Sequence, residues 1–317
     1  MLNLNDEVIC TSEELFALYF HDKYADKKSW TEKELKCFVD EFWLMSEQDL
    51  GINFTSKEKF LNTLIPFKDS LTYDMLVRLT YLSFLEPKNK EHVKVIVDNQ
   101  IKYLFHLPDI IKIFPHAKFI ILTRDVRDNV VAKSGRKMNL ISKPYFLASI
   151  WYYTYKNILR LKAAKNDYQI LHYEDLVMNT ESTLKKMCDF IGVAFNEKML
   201  KTQKVYEEFL ESRKPFISEV SYHKYSKLNS ELSAEINKEK IGIYKSKLNE
   251  EDENKINHLT KGLMSDLGYK TIQEKTLKAG IKEVLQKIQA LLYRPVLLNF
   301  YHQIPFSLKI MIKKLRK

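Results

Sequence analysis

Glycine, proline and cysteine are all scarce in this chain, with 7, 8 and 3 copies among 317 residues. So little glycine and proline argues against collagen-like sequence, a disordered chain and a turn-rich β-sandwich. Cys10, Cys37 and Cys188 lie far apart without CxxC or Cys/His spacing, so neither a disulfide framework nor a zinc site is indicated. A sparse, odd set of cysteines favours a reducing compartment, and we expect a cytoplasmic protein.

Long apolar runs and an N-terminal signal are lacking as well. No segment offers the roughly 18–20 uninterrupted apolar residues that a membrane-spanning helix needs. The first residues, MLNLNDEVICTSEE, carry acids where a signal peptide carries basic residues. We therefore expect a soluble protein.

The charge balance is strongly basic, at +10 with a pI near 9.1. Such a surplus favours an anionic partner, namely nucleic acid, an acidic membrane or a phosphorylated or sulfated small molecule; a lysine-rich soluble surface is the plainer alternative. Because Lys and Arg are interleaved with acids and no nucleic-acid-binding fingerprint occurs, we expect no nucleic-acid partner. The 8 histidines are scattered without metal-binding spacing, so we expect no metal.

Three short apolar runs, at residues 93–97, 118–122 and 169–173, read as β-strands. They are apolar on both faces and separated by helical sequence, which is typical of a parallel sheet with helical crossovers. Gly192 should end the helix predicted over residues 180–191, because glycine is common at the C′ position directly after a helix. The predicted helical segments are residues 12–48, 56–86, 107–114, 143–164, 180–191 and 249–267.

The most informative stretch is FPHAKFIILTRDVRD, residues 114–128. It combines a helix end, a buried strand and two arginines at the carboxyl end of that strand, where open α/β sheets bind their ligands. The planar fork of Arg124 suits a phosphate group. A loop ion pair between Arg124 and Asp125 explains the spacing equally well.

FPHAKFIILTRDVRD resembles the sulfotransferase signature in which a proline-led strand delivers an arginine to the cofactor's 3′-phosphate. HYEDL at residues 172–176, followed by DFIGV at 189–193, resembles the family's second block. IGIYKSKL at 241–248, followed by LGY at 267–269, resembles its C-terminal block. Three blocks in the family's order imply a sulfotransferase, nearest to the tyrosylprotein and bacterial branch, that uses 3′-phosphoadenosine 5′-phosphosulfate (PAPS) and no metal.

The resemblance implies nucleotide-binding roles for four positions. Arg124 would hold the 3′-phosphate, Arg136 falls where that branch places a second cofactor-binding arginine, and Tyr173 falls beside the nucleotide. The serine expected eight residues after the phosphate arginine is Ala132 here, and Ser134 is the nearby substitute.

The resemblance also implies a general base that deprotonates the acceptor hydroxyl. The first residues, through CTSEE, resemble the family's helix, turn and CGEE segment, which puts the base at Glu14 with Glu13 as second candidate. Sulfuryl transfer resembles phosphoryl transfer, in which positioning and charge stabilisation dominate and a carboxylate can take the acceptor proton. Both residues are equally well explained as first-turn acids of a helix capped by Ser12 or Thr11.

The sequence departs from the family pattern at several places. The family cradles the 5′-phosphosulfate in a Gly-containing loop after its first strand, whereas the first glycine here is Gly51 and no such string occurs. Asn99 replaces the lysine expected after Asp98. In the C-terminal block, Ile243 replaces a lysine of the tyrosylprotein branch. We expect the first strand and the loop to be missing from this chain; a start placed at an internal methionine is favoured over a degenerate, non-catalytic paralogue that binds an anion, nucleotide or partner.

The predicted architecture is an α/β, P-loop-like sulfotransferase domain over residues 1–270, a parallel sheet flanked by helices, with a basic, partly apolar helical extension over 271–317. A nucleotide kinase is the enzyme alternative, but the HYEDL block favours a sulfotransferase. In the extension, Pro295 and Pro305 should break any single long helix. We expect the extension to pack on the domain in preference to a peripheral contact with an anionic membrane.

Overall fold

The computed structural model describes residues 1–10, 16–49, 56–83, 90–134, 143–163, 167–201, 237–270 and 280–315, with the isolated positions 211, 219 and 222. The α-helices with described bounds are α1 (Phe16–Tyr19), α2 (His21–Tyr24), α3 (Glu32–Asp49), α4 (Lys57–Leu64), α5 (Tyr73–Leu82), α6 (Leu107–Ile113), α7 (Val126–Ser134), α8 (Pro144–Lys156), α9 (Ile158–Ala163), α10 (Tyr173–Met178), α11 (Thr180–Ile191), α12 (Tyr244–Lys247), α13 (Glu250–Asp266), α14 (Ile281–Gln303) and α15 (Phe306–Leu315). In this part of the chain no helix is long and apolar enough to cross a bilayer.

The strands form two parallel pairs. They are β1 (Val8–Cys10), β2 (Val95–Val97), β3 (Phe119–Thr123) and β4 (Tyr168–His172). β1 pairs with β2 and β3 pairs with β4, so that the carboxyl ends of the partners coincide.

The three strands predicted from sequence are confirmed to within two residues at each end, whereas β1 was missed. The resemblance places a helix and a turn over the first eight residues, although Val8-Ile9-Cys10 is a short apolar run of the same kind as β2. The expected burial on both faces is wrong for β2, whose three residues are all half-buried, and for Leu122 in β3, which is 47% exposed. The physical reason is that each strand has a described neighbour on only one side.

The helices predicted over 107–114, 180–191 and 249–267 are confirmed, whereas the longer predicted segments are interrupted. Within 12–48 the chain leaves helical structure at residues 25–31, between α2 and α3, and within 56–86 it does so at residues 68–72, between α4 and α5. The expected helix over 143–164 is two helices, α8 and α9, that meet at Asn157. α14 continues through Pro295, because a single proline removes only one backbone donor and can be absorbed by the helix, whereas Pro305 does separate α14 from α15. Gly192 ends α11 with a φ of 81°, in the left-handed region that glycine adopts without strain.

Two large apolar clusters hold the described elements together. The first joins the N-terminal helices around Phe20, Phe38 and Phe42, and α15 adds Phe306 to it. The second lies under the β3–β4 pair, around Val130 and the fully buried Trp151. α13 and α14 both pack against α8 in this second cluster. The residues that follow α13 reach the ends of β3 and β4, where Leu267 contacts His172 and Tyr269 contacts Thr123.

Candidate functional site

The ends of β3 and β4 bring two predicted site residues into contact. Thr123 is in register with His172, so the residues that follow, Arg124 and Tyr173, leave adjacent strands at the same edge. The Arg124 guanidinium carbon lies 4.6 Å from the centroid of the Tyr173 ring, which is a cation–π distance. The stacked ring orients the guanidinium plane.

A second contact fixes the guanidinium of Arg124 in its own plane. Its Nη2 donates to the backbone oxygen of Lys240 at 2.6 Å. Its Nε is buried and has no hydrogen-bond partner within the described part of the chain. Because a buried donor without a partner costs free energy, this edge of the fork is suited to an anionic oxygen supplied by a ligand.

The Lys240 segment is itself anchored by a buried carboxylate, Asp128, which is 1% exposed. Asp128 accepts from the backbone N–H groups of Gly242, at 2.7 Å, and Tyr244, at 3.0 Å. Gly242 has a φ of 74°, which favours glycine at this turn. Through the turn, α7 determines where the Lys240 carbonyl stands relative to Arg124.

Asp125 pairs with Arg127 rather than with Arg124. Its carboxylate accepts from Arg127 Nε at 2.9 Å and from Nη2 at 2.5 Å, and Arg127 Nη1 reaches Glu253 at 3.3 Å. Burial by itself lowers the pKa of Arg127, but the hydrogen bonds and charge of Asp125 outweigh burial and raise that pKa. The second arginine of the motif is therefore structural, and Arg124 is left to stack on Tyr173.

Glu174 connects the two strand ends. Its carboxylate accepts from the backbone N–H of Asp125 at 2.9 Å and from the Tyr269 hydroxyl at 3.2 Å. The same hydroxyl lies 3.0 Å from Thr123 Oγ1. Burial, with the neighbouring carboxylate of Glu174, raises the pKa of Tyr269, so this hydroxyl stays protonated as a donor.

A second polar cluster follows β2. Asp98 Oδ2 accepts from the hydroxyls of both Tyr81 and Tyr103, the latter at 2.7 Å. Burial raises the pKa of both tyrosines far above the usual range, so both act as donors. Val97 is in register with Cys10, so β1 and β2 also end at one edge.

Comparison with known proteins identifies the family. The profile of the Sulfotransferase family matches residues 1–197, more than half of the 317 residues. The chain belongs to the sulfotransferase family. This match confirms the predicted membership of the sulfotransferase family and the predicted α/β sulfotransferase fold.

Two solved sulfotransferase domains resemble the chain at low identity. One is from the curacin biosynthetic pathway, with 16% identity, a TM-score of 0.45 and coverage of 86% of this chain and 92% of that one. The other is from the Synechococcus PCC 7002 olefin synthase, with 16% identity, a TM-score of 0.42 and coverage of 90% and 92%. No curated protein matches the chain.

Of the remaining positions implied by the sulfotransferase resemblance, the structure describes Ser134 alone. Glu13, Glu14 and Arg136 lie outside the described residues. Ser134 is the last residue of α7, roughly 12 Å of helix beyond Val126, and its hydroxyl donates to the backbone oxygen of Val130. The structure therefore brings together Arg124 and Tyr173, and leaves the other roles as predictions.

Several residues of the candidate site were missed by the sequence analysis. Asp128 and Glu174 both lie inside recognised blocks, where their acidic side chains next to a strand end were the available signal. The Lys240 carbonyl carries no sequence signal, since any residue supplies one. Among the described residues no group of three or more His, Cys, Asp or Glu side chains is arranged to hold a metal ion.

Proposed function

We propose that this member of the sulfotransferase family moves a sulfuryl group from PAPS to a hydroxyl acceptor, leaving adenosine 3′,5′-bisphosphate. The observation that supports the proposal best is the Arg124–Tyr173 pair at the adjacent carboxyl ends of β3 and β4. Tyr173 and the Lys240 carbonyl hold the arginine fork, while its buried Nε has no described partner. This is the arrangement that a bound phosphate group would complete.

In the proposed reaction the acceptor oxygen forms a bond to sulfur as the bond between sulfur and the phosphate oxygen of the donor breaks. The acceptor proton goes to a carboxylate, for which Glu14 is the first candidate and Glu13 the second. Arg124, Arg136 and Tyr173 would hold the nucleotide. No metal takes part in the proposal.

Ser134 is the weakest member of the proposed set. Its hydroxyl already donates within α7, so it would have to change partner to reach the nucleotide. The proposed compartment is the cytoplasm, which the sparse cysteines favour; Cys10, Cys37 and Cys188 are all free thiols.

The first test is calorimetric titration of adenosine 3′,5′-bisphosphate into the full chain and into Arg124→Ala. Loss of a charge-assisted, forked contact should weaken binding by about 10- to 100-fold. Arg78→Ala is the matched control, because Arg78 is an exposed arginine of α5 and its removal should leave the affinity unchanged. Equal binding by Arg124→Ala and the folded parent would refute the assignment.

The second test separates catalysis from binding. Transfer of labelled sulfate from PAPS to a panel of hydroxyl acceptors should be lost in Glu14→Gln while nucleotide affinity is retained. If the parent binds the nucleotide and transfers no sulfate, the non-catalytic alternative is correct. The departures at Asn99 and Ala132 are the sequence features that keep this alternative open beside an internal start.

A further inference from the structure

Helix α14 presents two opposite faces. One face packs against α8, with Ala290 fully buried and Glu283 8% exposed. The Glu283 carboxylate pairs with Lys255 of α13 at 2.8 Å, and this contact lowers the pKa of Glu283. These contacts fix which side of the helix faces the domain.

The opposite face is apolar and open to solvent. Its residues are between 46% and 81% exposed: Ile281, Val284, Leu285, Ile288, Leu291 and Leu292. At about 100° per residue they occupy an arc roughly 120° wide, centred opposite the packed face. A continuous apolar arc on the outside of a domain marks an interaction surface. We call these six residues the α14 face.

Two lysines border the α14 face. On the helical wheel Lys282 lies beyond one edge of the arc and Lys287 beyond the other, and both are exposed. Over residues 280–315 there are six Lys and Arg against one acid, six minus one giving a net charge of +5. That one acid is Glu283, which is buried and paired on the other side of the helix. An apolar arc with lysines at both edges is the pattern of a helix that lies in a bilayer surface, where the lysine stems reach along apolar surface and the ammonium groups stay in water.

The charges decide between a bilayer and a second copy of the chain. Two α14 faces packed together, parallel or antiparallel, would put lysine-bearing edges of both helices at one interface, with no acid on the described face to offset them. An anionic lipid headgroup layer offsets both lysines and accepts the apolar arc. The arc extends over 12 residues, or about 17 Å of helix, which is too short to span a bilayer.

We propose that the α14 face docks the protein on an anionic phospholipid bilayer, with α14 parallel to the membrane plane. The docking segment, residues 281–292, lies inside the 271–317 extension, and only its opposite face packs on the domain as the sequence analysis expects. Since α14 packs on α8, bilayer contact would hold the sulfotransferase domain next to the membrane.

The experiment is co-sedimentation of the full chain with vesicles of phosphatidylcholine, alone or mixed with phosphatidylglycerol. We expect binding to the mixed vesicles that weakens with salt. Leu285→Gln with Ile288→Gln should reduce partitioning by at least about tenfold, because two apolar side chains leave the bilayer. Lys282→Glu with Lys287→Glu should remove the preference for the anionic lipid and lower partitioning onto the mixed vesicles by about 30-fold or more. The matched controls are Met178→Gln and Lys59→Glu, which alter exposed residues elsewhere.

All the altered side chains are exposed, so we expect each variant to fold. Circular dichroism and thermal melting of each variant check that a loss of vesicle binding does not come from unfolding. Equal sedimentation of the Leu285→Gln/Ile288→Gln protein and its parent would overturn the proposal, as would equal binding to vesicles without phosphatidylglycerol. A concentration-dependent dimer that this double variant abolishes, without vesicle binding by the parent, would identify a second copy as the occupant and overturn it too.

Discussion

Replacing Asp128 with asparagine tests whether the buried carboxylate holds the turn that positions Arg124. The substitution keeps the size of the side chain and removes its charge. Asp128 accepts two backbone hydrogen bonds, from Gly242 and Tyr244, at 2.7 and 3.0 Å. Asparagine has one acceptor atom, and its amide N–H₂ group would face one of the two donors.

The expected loss follows from these two contacts. A hydrogen bond to a charged acceptor contributes about 1.5–3 kcal/mol, and a buried donor left without a partner costs a further ~1–3 kcal/mol. With Asp128 only 1% exposed, water cannot replace the missing acceptor. Allowing for partial relaxation of the turn, we expect the free energy of unfolding to fall by about 2–4 kcal/mol.

The second readout is nucleotide affinity. Lys240 is two residues before Gly242, so a released turn withdraws the carbonyl that accepts from Arg124. We expect the Kd for adenosine 3′,5′-bisphosphate to rise by about tenfold, measured by calorimetry alongside urea unfolding. Asp189→Asn, an exposed acid of α11, is the control and should change neither value. A stability of Asp128→Asn equal to that of the control would refute the anchoring role.

Two further predictions concern stability. Lys309 is fully buried, its Nζ has no hydrogen-bond partner in the described chain, and Asp22 lies 4.0 Å away; Lys309→Met should therefore raise the free energy of unfolding by about 1–2 kcal/mol. Burial lowers the pKa of Lys309 below 10.5, so between the folded value and 10.5 the unfolded chain binds more protons than the folded chain. The parent therefore becomes more stable as pH rises through that window. The stability difference between Lys309→Met and the parent, measured by urea unfolding, should shrink accordingly. Gly268→Ala should cost about 1–2 kcal/mol, because its φ of 83° strains any L side chain, whereas Gly262→Ala, inside a helix with open space, should be neutral or stabilising by up to ~1 kcal/mol. A uniform effect of the two alanine substitutions in a thermal melt would contradict the strain argument.

Local patterns explain which parts of the fold could be predicted. β2, β3 and β4 are runs of β-branched or other apolar residues between helical segments, and Gly192 follows a periodic helix, so each carries its own signal. β1, Val8-Ile9-Cys10, is a run of the same kind, and it was missed because the family resemblance places a helix and a turn over the first residues. The continuation of α14 through Pro295 also escaped prediction, because tertiary packing against α8 can outweigh the loss of one backbone donor.

The candidate site also has a part that the sequence predicts and a part that it does not. Arg124 and Tyr173 were both predicted as site residues from the family resemblance, and they meet because each follows a parallel strand and parallel neighbours end at one edge. The partners that hold them could not be predicted, since Lys240 is 116 residues from Arg124 and Glu174 is 49 residues from Asp125. Contacts between residues so far apart in sequence leave no local pattern.

The long-range contacts bear on what the family match means for this chain. The match ends at residue 197, yet the guanidinium of Arg124 depends on a carbonyl at residue 240, and Glu174 depends on the hydroxyl of Tyr269. The signature arginine is therefore supported by a segment beyond the matched region. A nucleotide site formed at the ends of β3 and β4 would need residues 237–270 for its geometry, because Asp128 of α7 holds the turn that follows Lys240, and the Lys240 carbonyl accepts from Arg124.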